Sequence, residues 1–274
     1  MKVISGKTIA DEIKGSLKQA NSAAGVAPCL AIIDIGTNKE NALYTGLKRN
    51  AVAAIGGTTR SINLAEDTSR ERVLATIQEL NQDEDVDGIL LQLPVPEGLE
   101  PYREEFLAAI APGKDVDGFN SCNRGLLIGG EPYFVSCAAL ACMDISRRFR
   151  GPLSGKRVLL VGDSFDVIQP LAIMFIKEGC HVVVTPRYHP TDMEDMDIAI
   201  IEPGAPFIVK RQGIKEGALL IDAGFHWHEE RTCGNIDPEE FAGVEGYILP
   251  VPGGMGPLLI AHLMDNLTRA AGKE

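Results

Sequence analysis

The sequence predicts an α/β fold made of two α/β units. Apolar runs typical of strands alternate with amphipathic helical segments through the first 94 residues. The alternation starts again at Lys156, and a segment rich in Gly and Pro, 112–136, separates the two halves. Repeated βα units of this kind specify a mainly parallel sheet covered by helices.

The first half opens with a helix, because Ile9, Ile13 and Leu17 are spaced by four and form one apolar face. Thr68 and Glu71 form a capping box that predicts the start of a later helix. The predicted elements of this half are helix 5–24, strand 29–36, helix 38–55, strand 58–64, helix 68–81 and strand 86–94.

The second half opens with a strand that ends in a glycine, as at the start of many nucleotide-binding units. Its apolar runs are short and bounded by Gly, Pro or polar residues, which favours strands. The predicted elements are strand 156–162, helix 166–179, strands 181–185, 197–201 and 218–224, and a C-terminal helix after Pro257.

Composition excludes several classes of protein. With 274 residues and 45% hydrophobic residues, the chain is neither disordered nor fibrous, and its length suggests about two domains. A net charge of −12 disfavours nucleic-acid binding. The six scattered cysteines, the absence of a signal-peptide pattern and the broken apolar runs predict a reduced, cytoplasmic protein that does not cross a membrane.

Three polar residues are candidates for chemistry. Tyr44 and Lys48 are four apart on a predicted helix, so their side chains lie one turn apart on one face, and a phenol beside an amine suits proton transfer. A surface Lys beside a half-buried Tyr gives the same spacing. Gln92 lies at the carboxyl end of a predicted parallel strand, where ligands bind, although a turn residue without a role would look the same.

Two carboxylates follow in a Gly-rich loop. Asp115 and Asp117 are two apart and would point the same way in an extended chain. They suit a cationic or amino-bearing heterocycle, and the alternative is a solvated turn. No further oxygen ligands follow closely, so no metal is expected.

Two other clusters receive no function. His226 and His228 lie in a loop without a third ligand, which is more typical of a surface turn than of a metal site. Cys137 and Cys142 are interpreted as small buried apolar residues.

Four motifs occur in a fixed order along the chain: Tyr44-x-x-x-Lys48, 87–96 (DGILLQLPVP), 112–118 (PGKDVDG) and 250–257 (PVPGGMGP). Together they resemble the methylenetetrahydrofolate dehydrogenase/methenyltetrahydrofolate cyclohydrolase family, the FolD-like enzymes. The resemblance implies a folate-binding catalytic domain at 1–120 and 254–274. It implies a Rossmann-like NAD(P)-binding domain at 121–253, with the folate cleft where the two domains meet. It also implies a homodimer.

The resemblance also assigns roles to residues. In the family the lysine matching Lys48 drives the cyclohydrolase step, and the glutamine matching Gln92 holds that lysine. The tyrosine matching Tyr44 packs and hydrogen-bonds at the folate, and the aspartate matching Asp117 binds the pterin. The turn Pro252-Gly253-Gly254 lines the same cleft.

The nucleotide half departs from the family pattern. Gly162 and Ser164 remain as candidate cofactor residues, but Asp163 stands where the family has an arginine that contacts phosphate. Glu202 replaces a small apolar residue on another strand of this half. Arg187, after strand 181–185, suits a 2′-phosphate, so the choice between NADP and NAD stays open.

Three further positions near the predicted nucleotide site also depart from the family. Ile168 stands for a glycine, and Ala138 and Ala139 stand where the family has a threonine and a proline.

Three functions are therefore compatible with the sequence. The first is oxidation of 5,10-methylenetetrahydrofolate with NAD(P), followed by hydrolysis of the methenyl product to 10-formyltetrahydrofolate. The second is a cyclohydrolase alone with a degenerate nucleotide site, and the third is a folate-binding protein without catalysis.

Overall fold

The computed structural model describes residues 1–272, apart from the side chains of residues 39 and 40. Along the chain its helices and strands are β1 (Lys2–Val3), α1 (Gly6–Ala24), β2 (Cys29–Ile35), α2 (Lys39–Ala54), β3 (Thr58–Leu64), α3 (Arg70–Gln82), β4 (Gly88–Leu91), α4 (Arg103–Ala109), α5 (Ser121–Gly129), α6 (Cys137–Arg150), β5 (Arg157–Val161), α7 (Ile168–Lys177), β6 (His181–Thr185), β7 (Ile198–Ile201), β8 (Leu219–Asp222), β9 (His226–His228), β10 (Arg231–Cys233), β11 (Tyr247–Leu249) and α8 (Met255–Gly272). Short 3-10 turns occur at Glu97–Tyr102, Pro190–Met193 and Pro238–Phe241.

The chain forms two compact units. The first comprises Met1–Ala10 and Ala138–Leu259, and the second comprises Asp11–Cys137 with the residues from Ile260 onward. Each contains a parallel β-sheet, which confirms the predicted two-domain α/β class. The domain limits 1–120 with 254–274 and 121–253 stay a prediction.

The second unit is built on a parallel sheet in the order β3-β2-β4. β4 is buried along its whole length, and Leu30 and Ile33 of β2 are fully buried. Val73 and Ile77 of α3 are also fully buried. Strands covered on both faces read as continuous apolar runs, which is why the sequence located β2 and β4.

The first unit is built on a six-stranded parallel sheet in the order β1-β11-β8-β7-β5-β6. After β5 the chain adds β6 on one side and then returns to add β7 on the other side. The carboxyl ends of β5 and β7 therefore flank a topological switch point, where open α/β sheets bind ligands. β9 and β10 form a separate antiparallel hairpin.

Several local details differ from the sequence expectations. The N-cap of α3 is Ser69 and not Thr68, because the Ser69 hydroxyl accepts from the amide of Arg72 at 3.2 Å. α7 spans a shorter stretch than the predicted 166–179. β1 and β11 have only two and three residues, too short for a periodic signal, and they pair with each other in the first unit.

The cysteines, all within the described part of the chain, are free thiols. Among residues 1–272, no helix has the length and apolarity to cross a membrane.

Candidate active site

Lys48 lies on the buried face of α2. Asn41, Thr45 and Val52 share this face, because positions three, four and seven apart meet on one side of a helix. The Lys48 side chain is only 8% exposed, and its Nζ donates a hydrogen bond to Oε1 of Gln92 at 3.0 Å. A buried amine thus has a neutral amide oxygen as its partner.

Gln92 directly follows β4, and its backbone amide continues the sheet ladder to Ile33 O. Its Nε2 donates to the carbonyl oxygen of Leu93 at 2.8 Å, which fixes the orientation of the side-chain amide and turns Oε1 toward Lys48. The next carbonyl in the chain, that of Pro94, accepts from Asn41 Nδ2 at 3.2 Å. α2 and the segment after β4 are therefore held together by two polar contacts, one from Lys48 and one from Asn41, two helical turns earlier.

Asp117 completes a cluster with Lys48. Burial raises the pKa of its carboxyl, while the Lys48 charge and a hydrogen bond from the Cys137 thiol act in the opposite direction on that pKa. The following residue, Gly118, has φ +74°, and a Cβ there would lie 2.3 Å from the carbonyl carbon of Val135. Only glycine allows this turn to lie against the chain that leads into α6.

Asp115 serves a different purpose from Asp117. Its carboxylate accepts from the amides of Phe119 and Asn120 and from Asn123 Nδ2, at 2.8–3.1 Å. Burial raises the pKa of Asp115 to about 6. The chain turns between the two aspartates, so they do not share partners as an extended segment would suggest.

Cys137 is a site residue that the sequence reasoning missed. Its thiol donates to Val116 O at 3.4 Å and is also hydrogen-bonded to the Asp117 carboxylate, so the two acceptors share one S–H. Asn266 Nδ2 donates to the sulfur at 3.6 Å. Burial and the neighbouring Asp117 raise the pKa of this thiol, so it remains a protonated donor. In the sequence nothing separates it from Cys142, which is also buried but lies near Met255 Sδ instead.

Tyr44 lies one helical turn from Lys48 but is 39% exposed. Leu43 and Leu47 on the same helix are 64% and 45% exposed. The structure thus brings Lys48, Gln92 and Asp117 together, and it presents Tyr44 at the surface beside two exposed apolar side chains.

The turn Pro252-Gly253-Gly254 belongs to the first unit and directly precedes α8. Gly253 has φ +89°, and its carbonyl accepts from the Lys7 amide at 3.3 Å. A Cβ on Gly6 would lie 2.0 Å from Gly254 O, so this turn packs backbone to backbone against the start of α1.

Gly162 directly follows β5 and has φ +133°, at the switch point of the first unit. The Ser164 hydroxyl accepts from the amides of Val167 and Ile168 at 3.3 and 3.2 Å. Arg187 is exposed after β6. The strand order and the glycine turn fit a dinucleotide, and Arg187 suits a phosphate.

Acidic groups surround the same turn. Glu202, which follows β7, is hydrogen-bonded to Ser164. Burial, together with the charges of Asp166 and Asp163, raises the pKa of Glu202. These carboxylates oppose a phosphate at the turn, so the fold fits the cofactor better than the side chains do.

The two histidines lie in β9 rather than in a surface turn. His226 Nε2 is 3.0 Å from Asn235 Oδ1, and Asn235 Nδ2 donates to the buried Asp222. Across residues 1–272, no three His, Cys, Asp or Glu side chains are grouped so as to hold a metal ion.

One unit contains a Rossmann-like sheet, and the other contains a buried amine and amide with a carboxyl group near them. Together they define a two-domain α/β enzyme. Two family models match the chain: the catalytic domain of tetrahydrofolate dehydrogenase/cyclohydrolase over residues 4–117, and the NAD(P)-binding domain of the same enzyme over residues 136–274. The chain belongs to the tetrahydrofolate dehydrogenase/cyclohydrolase family.

Individual relatives match over nearly the whole chain. "Bifunctional protein FolD 1" of Syntrophomonas wolfei is 52% identical, covering 100% of both chains. A crystal structure of the FolD enzyme from Campylobacter jejuni has a TM-score of 0.93 and 32% identity, covering 100% of this chain and 99% of that one. The Trypanosoma brucei FolD enzyme, complexed with NADP cofactor and inhibitor, has a TM-score of 0.90 and 29% identity, with 99% and 97% covered.

These matches confirm the predicted family, fold and enzyme class, a methylenetetrahydrofolate dehydrogenase/methenyltetrahydrofolate cyclohydrolase of one-carbon metabolism. They also identify the Rossmann-like unit as an NAD(P)-binding domain.

Proposed function

We propose that this chain oxidises 5,10-methylenetetrahydrofolate and then hydrolyses the methenyl product to 10-formyltetrahydrofolate, with Lys48 as the group that moves protons. The observation that carries the proposal is the buried contact of 3.0 Å between Lys48 Nζ and Gln92 Oε1, beside the Asp117 carboxyl.

In the hydrolytic step, water attacks the cationic methenyl carbon, whose charge is shared by two nitrogens. The attacking water must lose a proton, and a ring nitrogen must gain one as the ring opens. An amine at the substrate can relay this proton, because Lys48 reaches the site from a rigid helix and Gln92 holds its Nζ in one position.

Asp117 and Tyr44 are assigned to substrate binding. A carboxylate accepts hydrogen bonds from the amino and ring N–H groups of a pterin, and such charge-assisted bonds fix a planar ring in one orientation. The exposed ring of Tyr44, one helical turn from Lys48, supports a stacking role on a planar ligand. Pro252, Gly253 and Gly254 are assigned to the same substrate.

The oxidative step requires NADP or NAD, which accepts a hydride from the methylene carbon when it is bound. Gly162, Ser164 and Arg187 are the residues assigned to hold it. The exposed guanidinium of Arg187 supports NADP, because arginine suits a 2′-phosphate.

A second candidate function is cyclohydrolase activity without oxidation. It is favoured by the carboxylates of Asp163, Asp166 and Glu202 at the phosphate turn. We prefer the bifunctional enzyme, because Gly162 and the switch point of the sheet remain intact.

The decisive experiment assays the purified full chain with methylenetetrahydrofolate and NADP, NAD or no nucleotide, and separately with methenyltetrahydrofolate. We expect reduced nicotinamide and methenyl hydrolysis. Hydrolysis without nicotinamide reduction identifies the cyclohydrolase alone, and folate binding without either reaction identifies a binding protein.

Lys48→Met is expected to lower methenyl hydrolysis by about 100-fold or more, because the proton relay is lost. Lys18→Met, which removes an exposed lysine on α1, serves as the matched control and should hydrolyse at the normal rate. Unchanged hydrolysis by Lys48→Met would disprove the role of Lys48.

The proposal also includes a homodimer and a cytoplasmic location. It assigns 1–120 with 254–274 to the folate-binding domain and 121–253 to the NAD(P)-binding domain. The family resemblance supports the dimer and the domain limits, and the scattered free cysteines support the location.

A further inference from the structure

The phosphate-binding turn of the first unit is occupied by the protein's own polar groups. Amides at the start of α7 are the donors that such a turn offers to a pyrophosphate. Here the Ser164 hydroxyl accepts hydrogen bonds from the amides of Val167 and Ile168, and the Ser164 carbonyl accepts one from the amide of Gln169 at 3.0 Å. A ligand phosphate must displace these contacts.

Glu202 closes the turn from the neighbouring strand. A Cβ built on Gly162 would lie 3.0 Å from Oε2 of Glu202, so this carboxylate lies against the glycine where the backbone must approach a phosphate. The same carboxylate is hydrogen-bonded to Ser164. The Glu202 carboxylate oxygens therefore occupy the place at Gly162 where a phosphate oxygen would lie. They also use the Ser164 hydroxyl, which would otherwise be a donor to that phosphate.

We propose that Glu202 is a specificity-determining residue that weakens dinucleotide binding by occupying the phosphate subsite at Gly162 and Ser164. The inference rests on the proposed oxidative step. A dinucleotide brings negative charge to a turn that already carries Glu202, Asp163 and Asp166, so the repulsion acts on NADP and NAD alike. The carboxylate acts on cofactor affinity and takes no part in the chemistry.

The test is calorimetric titration of the full chain and two variants, Glu202→Gln and Glu202→Ala, with NADP and with NAD. We expect both variants to bind both dinucleotides about tenfold or more tighter than the unmodified chain. Gln removes the charge and keeps the shape, whereas Ala also frees the Ser164 hydroxyl. If only Glu202→Ala binds the dinucleotides more tightly, the result still supports the proposal that the Glu202 side chain occupies the phosphate subsite.

Glu178→Gln is the matched control, because Glu178 caps the opposite end of α7 and removing its charge should leave affinity unchanged. Unchanged or weaker binding by both Glu202 variants overturns the inference, and weaker binding would mean that Glu202 contacts the ligand favourably. No detectable binding by any of the proteins overturns it as well. Failure of the proposed function is distinct, because it appears in the turnover assays of the unmodified chain, as methenyl hydrolysis without nicotinamide reduction or as no turnover of either folate.

Discussion

At the scale of single residues, the Cys137 thiol stabilises the charged form of the Asp117 carboxyl through a hydrogen bond. A buried carboxylate is favoured by every hydrogen bond to its charged form, and Cys137 supplies one from a position 1% exposed. Asn266 donates to the sulfur and to Val116 O, which holds the thiol in place. Cys137 is thus a positioning residue for Asp117.

Cys137→Ala is expected to raise the KM for methenyltetrahydrofolate by about tenfold, because Asp117 loses a donor and its charged form is disfavoured. Cys137→Ser keeps an O–H donor and should restore most of the affinity. Steady-state kinetics at neutral pH measure both effects. Cys142→Ala removes a buried thiol that lies near Met255 instead, and it is the control. Equal KM values for Cys137→Ala and the unmodified chain would contradict the positioning role.

The same scale shows what the sequence could and could not predict about the site. Lys48 and Gln92 were identified as candidates from helical spacing and from a strand end, both of which are local properties. Asp117 could not be distinguished from Asp115 by spacing, because the turn between them decides which carboxyl meets Lys48. Cys137 carried no signal at all, since its contacts come from residues distant in the chain.

At the scale of elements, Asn120 fastens the loop between α4 and α5. Its Oδ1 caps α5 by accepting from the Cys122 amide at 2.7 Å. Its Nδ2 donates to three carbonyl oxygens at the end of α4, those of Leu107, Ala108 and Ile110. One buried amide therefore satisfies the orphan groups of two helix ends.

Asn120→Ala is expected to lower the free energy of unfolding by about 2–4 kcal/mol, because the cap is lost and buried carbonyls lose their donor. Ser69→Ala removes only the exposed cap of α3 and should cost about 1 kcal/mol. Chemical denaturation of the two variants measures the difference. Equal losses would mean that the three carbonyl contacts contribute nothing.

Element prediction succeeded for strands with a continuous apolar run, whereas the helices α4, α5 and α6 were not predicted. β3 and β6 were located at their observed limits, and β2, β5 and β7 to within two residues at each end. α5 was missed, because a helix containing Gly125 and ending at Gly129 looks like part of a Gly-rich linker. Contacts of Asn120 and Asn123 with residues outside the segment stabilise the helix, and such contacts leave no periodic signal in the sequence.

At the scale of the whole molecule, each unit contains a buried aspartate whose pKa is raised to about 6 and which therefore bears on the pH dependence of stability. Asp115 lies in the second unit, and Asp222, at the end of β8, lies in the first. Asp222 accepts from the amides of Gly224 and Ile236 at 3.0 and 2.8 Å. Burial nevertheless raises the pKa of each carboxyl to about 6.

A raised pKa in the folded state means that the folded protein binds a proton more tightly than the unfolded chain. The stability that each group contributes is therefore complete below the unfolded pKa of about 4 and is lost as the pH rises through about 6. For each aspartate the loss is on the order of 3 kcal/mol. Surface carboxylates with lowered pKa values, such as Asp83 and Glu105, act with the opposite sign.

The test therefore compares how much stability each variant loses with rising pH. The surface carboxylates of opposite sign are present in all the variants, so their contribution cancels in the comparison. We expect Asp115→Asn and Asp222→Asn each to lose less stability than the unmodified chain between pH 4.5 and pH 7.5, even if each starts from a lower value. Denaturant unfolding at the two pH values measures this change. Asp67→Asn, at an exposed position, should keep the original pH dependence. If Asp115→Asn showed the same pH dependence as the unmodified chain, the pKa of Asp115 would not be raised in the folded state. Its three hydrogen bonds would then lower that pKa as much as burial raises it.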